Sequence, residues 1–100
     1  MRNFTVRWRP QGSLHVLQAR AFLGPYRAAV LDQELEEIRE RLSALPESGA
    51  PVKTRRGWSL DVRKMILTRS PYHLYYRLDL EGKRVILFTL WHENRRPPRL

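Results

Sequence analysis

The chain has 100 residues, a net charge of +9 and no cysteine. That length holds one domain, residues 1–100, and the missing thiol excludes disulfide stapling, thiolate zinc sites and thiol catalysis. No apolar run reaches the roughly 20 residues that span a bilayer and the first residues lack the apolar core of a signal peptide, so a cytoplasmic protein without a membrane partner is expected.

Residues 4–9 (FTVRWR) alternate apolar and polar, as in a half-buried strand. Pro10 ends it. Residues 11–23 read as a helix with Leu14, Leu17, Ala21 and Phe22 on its packed face. Gly24-Pro25 separates it from a second helix, residues 25–45. Leu31, Leu35, Ile38, Leu42 and Leu45 form the apolar stripe of this second helix, while Glu34, Glu37, Glu40 and Arg41 lie opposite. Glu37 and Arg41 stand at ion-pair spacing. A short joint makes the two helices an antiparallel hairpin.

Residues 46–57 (PESGAPVKTRRG) read as an exposed basic loop. Residues 58–68 read as a strand whose parity changes between Trp58, Leu60, Val62 and Met65, Leu67, which predicts a bulge near Arg63-Lys64. A hairpin follows, with Glu81-Gly82 as its two-residue turn. In that register Leu78, Tyr76, Leu74 and Tyr72 face Val85, Leu87, Thr89 and Trp91 on the core side. The other side carries His73, Tyr75, Arg77, Ile86, Phe88 and Leu90, with His92 diagonal to His73. The predicted fold is α+β in the order β-α-α-β-β-β, a two-helix hairpin packed on one face of a mostly antiparallel sheet. Parallel pairing is open only to the first strand. The second sheet face is too apolar to stand bare in water, so a partner covers it.

The charge is uneven. Residues 53–100 carry 12 Lys and Arg against 4 Asp and Glu. Such a half attracts an anionic partner. The three histidines, His15, His73 and His92, have no metal-ligand spacing, and no Gly-rich phosphate loop is present; no metal or cofactor is expected. His15, beside Leu14 in the first helix, reads as a surface residue.

Arg63-Lys64-Met65-Ile66-Leu67, Pro71 to Arg77 (PYHLYYR), and Val85-Ile86-Leu87 running to Trp91-His92-Glu93-Asn94-Arg95-Arg96-Pro97 carry a family likeness. With the Val6-Arg7-Trp8 strand and the Leu-striped helix, the chain resembles the RelE/ParE toxin superfamily of bacterial type II toxin–antitoxin systems, most closely its ParE branch. The resemblance implies a toxin neutralised by a cognate antitoxin, whose flexible and often acidic segment covers the toxin's sheet or helices in a hetero-oligomer. A ParE-like toxin poisons DNA gyrase and is not an enzyme, a role tied to plasmid stabilisation. The alternative is a RelE-like endoribonuclease that cuts mRNA on the ribosome. For that chemistry His73 and His92 are the candidate acid and base, with Arg77 or Arg69 on the phosphate. The other reading of His92 is structural, a ring that bonds the Glu93–Arg96 backbone and fixes the tail. Arg63, Lys64, Arg69, Tyr75, Phe88, Arg95 and Arg96 are the residues expected to touch the target or the antitoxin.

Overall fold

The computed structural model describes residues 3–100, the Leu60 side chain excepted. The elements are β1 (Thr5–Trp8), α1 (Pro10–Leu23), α2 (Pro25–Ala44), β2 (Ala50–Thr54), β3 (Gly57–Ile66), β4 (Tyr72–Asp79) and β5 (Arg84–His92). The strands form one sheet in the order β1-β5-β4-β3-β2. Only β1 pairs in parallel, with β5, because the helical hairpin carries the chain between them. The α+β arrangement holds, with one strand more than expected. The segment read as a loop contains β2, which pairs with β3 around a turn at Arg55-Arg56. Pro51 sits in that edge strand, where a missing N–H costs no ladder bond.

Leu31, Leu42, Leu74, Tyr76, Val85 and Leu87 form the centre of the core, each essentially without solvent contact. Each buried aliphatic side chain contributes about 1.5–3 kcal/mol relative to exposure. The α2 stripe packs as expected for Leu31, Ile38 and Leu42, with Leu35 half-buried, while Leu45 points to solvent. Glu34, expected on the solvent face, is buried. Its Oε2 accepts the N–H groups of Thr68 at 2.7 Å and Arg69 at 3.1 Å, which anchors the β3–β4 loop to α2. Glu37 pairs with Arg69 at 2.7 Å rather than with Arg41.

Helix α1 turns a different face inward from the one its large apolar residues suggest. Gly12, Ala19 and Leu23 are buried, while Leu14, Leu17 and Phe22 are exposed. The reason is proximity. A Cβ at Gly12 would lie 2.9 Å from the Leu87 carbonyl and 2.9 Å from Trp8, so only glycine lets the helix approach β5 this closely.

Two register features place the functional face. The β4–β5 loop is Leu80–Lys83, four residues rather than two, closed by Asp79 accepting the Gly82 N–H at 3.0 Å. Both loops are centred on Glu81-Gly82, so the expected pairs Leu78↔Val85, Arg77↔Ile86 and Tyr76↔Leu87 stand. Beyond them a bulge at Phe88 shifts the ladder, giving Tyr75↔Thr89, Leu74↔Leu90, His73↔Trp91 and Tyr72↔His92. The expected bulge near Arg63-Lys64 is absent, and β3 pairs regularly with β4 from Val62 to Ile66. The irregularity lies instead between the Pro51↔Arg63 and Lys53↔Trp58 pairs, where the Ser59 hydroxyl accepts the N–H groups of Asp61 and Val62.

Candidate functional site

Both helices cover one face of the sheet, so the site is the opposite face. Its floor follows from the β3–β4 register. Val62 and Lys64 stand opposite Arg77 and Tyr75, and with His73 these side chains line the open face; Ile66, opposite His73, borders a cleft beside α2. From β5, Phe88 adds its ring 6.5 Å from that of Tyr75, and Trp91 stands opposite His73.

Two clefts run along this face. The larger, about 680 Å³, is lined by Arg9, Arg55, Arg56 and Arg77 together with Trp58, Asp61, Phe88 and Leu100. The smaller, about 280 Å³, is lined by Lys53, Lys64, His73, His92 and Arg95 with Val52, Trp58, Tyr75, Trp91 and Glu93. None of these lysines and arginines forms an ion pair among the described residues. The face is therefore a strongly positive strip with aromatic rings set into it. His73 is held below its ordinary pKa of 6.5, first by burial and then by the neighbouring Lys64 ammonium, against a smaller opposite pull from Glu93. It is neutral at pH 7.

The segment after β5 folds back across this face. The Glu93 N–H donates to the Pro71 carbonyl at 2.9 Å, and the Trp91 indole N–H donates to the Arg96 carbonyl at 2.8 Å. The Arg95 guanidinium lies 3.9 Å over the Trp91 ring, a cation–π contact. Pro97 and Pro98 reach the smaller cleft, and the Arg55 N–H donates to the Leu100 backbone oxygen at 2.9 Å. Pro98 and Leu100 are half-buried while Pro97 and Arg99 are exposed, the alternation of an extended strap. With this strap and Phe88 above it, Tyr75 is only 4% exposed. Burial raises its phenol above the ordinary value.

The expected residues separate into three groups. Lys64, His73, Tyr75, Arg77, Phe88 and Arg95 share the open face. Arg96 stays exposed on the strap, its carbonyl taken by Trp91. Arg63 and Arg69 lie elsewhere. Arg63 has the parity of Tyr76 and donates to the Gly49 carbonyl at 2.9 Å and the Glu47 carbonyl at 3.2 Å. Arg69 belongs to the α2 side through Glu37.

The Phe88 bulge changes the expected register: His73 stands opposite Trp91 and His92 opposite Tyr72, while both histidines border the smaller cleft. One extra residue reverses parity, so His92 follows Tyr72 to the helix side. Its ring packs edge-on against Tyr72 at 5.1 Å and Phe22 at 5.8 Å. Its Nδ1 accepts the Asn94 N–H at 3.1 Å, and its carbonyl accepts the Arg95 N–H at 3.0 Å. This is the structural role, fixing the start of the strap. His15, read as a surface residue, is half-buried and bonds through Nδ1 to the Thr89 hydroxyl at 2.6 Å. It joins α1 to the bulge. Sequence reasoning passed over Trp58 and the Arg9, Arg55 and Arg56 cations as site residues; the Thr-Arg-Arg-Gly-Trp string between two alternating runs is the signal for a basic hairpin tip. Among the described residues no cluster of three His, Asp or Glu groups is placed to hold a metal, and no helix is long and apolar enough to cross a membrane.

A family model described as the ParE toxin of the type II toxin–antitoxin system parDE matches residues 6–97. No protein of curated function matches the chain by sequence. Among solved structures, a chain of the chromosomal ParDE system of Pseudomonas aeruginosa superposes with a TM-score of 0.68 at 18% identity, covering 89% of this chain and 95% of that one. A chain of the RelBE2 toxin–antitoxin complex of Mycobacterium tuberculosis gives 0.66 at 24% identity, with 92% and 93% covered. The isolated RelE toxin of Escherichia coli gives 0.59 at 22% identity, with 93% and 87% covered. At these identities the superpositions establish the fold; the family match over nearly the whole length establishes membership. The chain belongs to the ParE toxin family of the type II toxin–antitoxin systems, within the RelE/ParE superfamily.

Proposed function

We propose that this toxin arrests growth by binding and poisoning DNA gyrase through its open basic face, without catalysing a reaction, and that a cognate antitoxin silences it. The observation that carries the non-enzymatic reading is the Phe88 bulge. It leaves His73 on the open face and turns His92 toward Phe22 and Tyr72. Cleavage of RNA through a ribose 2′-hydroxyl needs one group to take a proton and another to give one, each contributing about 10²–10⁴-fold when positioned. His92 borders the same small cleft as His73, but its ring packs on Tyr72 and Phe22 and its Nδ1 is taken by the Asn94 N–H, which argues against a paired acid and base.

The antitoxin reading is supported by two surfaces of different chemistry. One is the positive strip just described. The other is the exposed apolar stripe of Leu14, Leu17 and Phe22 on α1, extended by Tyr26. Apolar residues gathered on one helix face mark a surface for a partner. The structural relatives from Pseudomonas and Mycobacterium were solved as toxin–antitoxin systems.

Purified toxin added to gyrase, ATP and supercoiled DNA is expected to accumulate linear DNA after detergent and protease treatment. Unchanged DNA, together with mRNA cut on translating ribosomes, would replace this reading by the RelE-like one. The observation on that side is the neutral His73 between Lys64 and Tyr75, a base without a partnered acid.

A further inference from the structure

A third cleft, of about 300 Å³, opens on the helix side of the sheet, between α1, the Tyr72 end of β4, the last residues of β5 and the start of the strap. No aspartate or glutamate lines it, while His15, Gln18, His92 and Arg95 do. What each already holds sets what it can offer a ligand. The Nδ1 of His92 accepts the Asn94 N–H at 3.1 Å, so the neutral ring carries its proton on Nε2 and meets a ligand as a donor. The Nδ1 of His15 is engaged by the Thr89 hydroxyl at 2.6 Å, which leaves Nε2 as its remaining polar atom. Arg95 lies over the Trp91 ring, and its charge has no carboxylate partner among the described residues. The walls are aromatic. Tyr72 and Phe22 flank the His92 ring at 5.1 Å and 5.8 Å, and Phe22 is 70% exposed.

We propose that this cleft is a binding site for a nucleoside monophosphate. The charge selects an anion. Donors converge from α1, β5 and the strap, and no acidic side chain opposes them. Arg95, the His92 Nε2–H and the Gln18 amide are the phosphate donors, the planar guanidinium fork matching two phosphate oxygens at once. The exposed ring selects what carries the phosphate, because Phe22 offers a face on which a base stacks. The volume lies at the lower end of small-ligand sites and suits one nucleotide rather than a run of them. With the two clefts of the open face it shares only His92 and Arg95. The site is therefore distinct from the surface assigned to gyrase, and the proposal does not rest on that assignment.

The test is an NMR titration of the full chain with AMP, inorganic phosphate and adenosine. AMP is expected to shift the His15 and His92 ring signals and the Gln18 side-chain amide to saturation. It should bind at least about fivefold more tightly than phosphate or adenosine alone. The open face also attracts phosphate, so variants locate the site. Gln18 is exposed on α1, and Gln18→Glu sets a carboxylate at the cleft without touching the core. It should weaken AMP at least about tenfold. Phe22→Ala should lower AMP to the affinity of inorganic phosphate and leave phosphate itself unchanged. Lys64→Glu/Arg77→Glu should bind AMP as wild type does. A short 5′-phosphorylated oligonucleotide separates the two sources of the ligand: binding tighter than AMP assigns the site to a strand end, and equal or weaker binding to the free nucleotide. Shifts confined to His73 and the Trp58 indole, wild-type affinity in Gln18→Glu, or loss of binding in Lys64→Glu/Arg77→Glu overturns the proposal. Neither gyrase nor antitoxin enters these measurements, so an empty cleft leaves the gyrase result standing, and a failed gyrase assay leaves the cleft standing.

Discussion

Tyr76→Phe is expected to destabilise the fold by about 2–4 kcal/mol, although it removes a single oxygen atom. Tyr76 is fully buried at the sheet centre. Its hydroxyl donates to the Pro46 carbonyl at 2.7 Å and accepts the Gly49 N–H at 2.9 Å. Those bonds fasten the α2–β2 connection to β4. Phenylalanine leaves both backbone groups without their partner, and each unsatisfied buried group costs about 1–3 kcal/mol. For a domain of this length the melting temperature should fall by roughly 4–8 °C per kcal/mol, so thermal unfolding followed by circular dichroism reads the effect. Burial also raises the Tyr76 phenol above its ordinary value of 10.0, ahead of the lowering effects of the Gly49 bond and Arg63. A raised folded value means the native state holds its proton where the unfolded chain releases it. Stability is therefore complete below about pH 10 and declines as pH rises beyond it. Tyr72 and Tyr75 shift in the same direction, so the decline persists in Tyr76→Phe with a shallower slope.

The second large effect concerns function. Lys64→Glu with Arg77→Glu places two carboxylates on the open face where two cations stood. Neither side chain forms an ion pair, and both point away from the core. The fold should persist, with thermal unfolding close to wild type. A positive surface steers an anionic or acidic target and sets the on-rate by factors of about 10–10³. Reversing it adds like-charge repulsion of several kcal/mol across an acidic interface. Growth arrest on induction should be lost, with survival rising by about 100-fold or more. Persistent arrest by a soluble double variant would move the toxic surface to the helices.

The α2 stripe and the near-turn half of the β4–β5 ladder were legible because each rests on local pattern, and parallel pairing was open only to β1 because a helical connection follows it. Leu31, Ile38 and Leu42 sit at helical spacing, and a hairpin register follows from its turn centre whether the loop has two residues or four. The misread parts depend on what packs against what. Gly12 and Ala19 carry little hydrophobic signal, yet small size is what lets α1 lie on β5. Leu14 and Leu17 carry strong signal and face water, consistent with a helix that serves two surfaces.

The site was legible in composition and not in geometry. Tyr75, Arg77 and Phe88 were expected on the second face, which was read as too apolar for water; Lys64, Arg55, Arg56 and Arg77 make it positive, and Leu90 lies on the helix side. The Phe88 bulge was invisible because Ile-Leu-Phe-Thr-Leu-Trp alternates acceptably with or without an extra residue. Its cause is tertiary: Phe88 stays against Tyr75 while the Thr89 hydroxyl reaches His15 on α1. The strap was also invisible, since its anchors, the Arg55 N–H and the Trp91 indole, lie 45 and 9 positions before Leu100.

If toxicity resides in a binding face, it needs no proton transfer by a histidine pair. Colony survival after induction of His73→Ala/His92→Phe tests it most directly. Phenylalanine at 92 keeps an aromatic ring against Tyr72 and Phe22 while removing any titratable nitrogen. This variant, folded and soluble, is expected to arrest growth as the wild-type chain does. Recovery of survival with the fold intact would contradict it and return the chemistry to the two histidines.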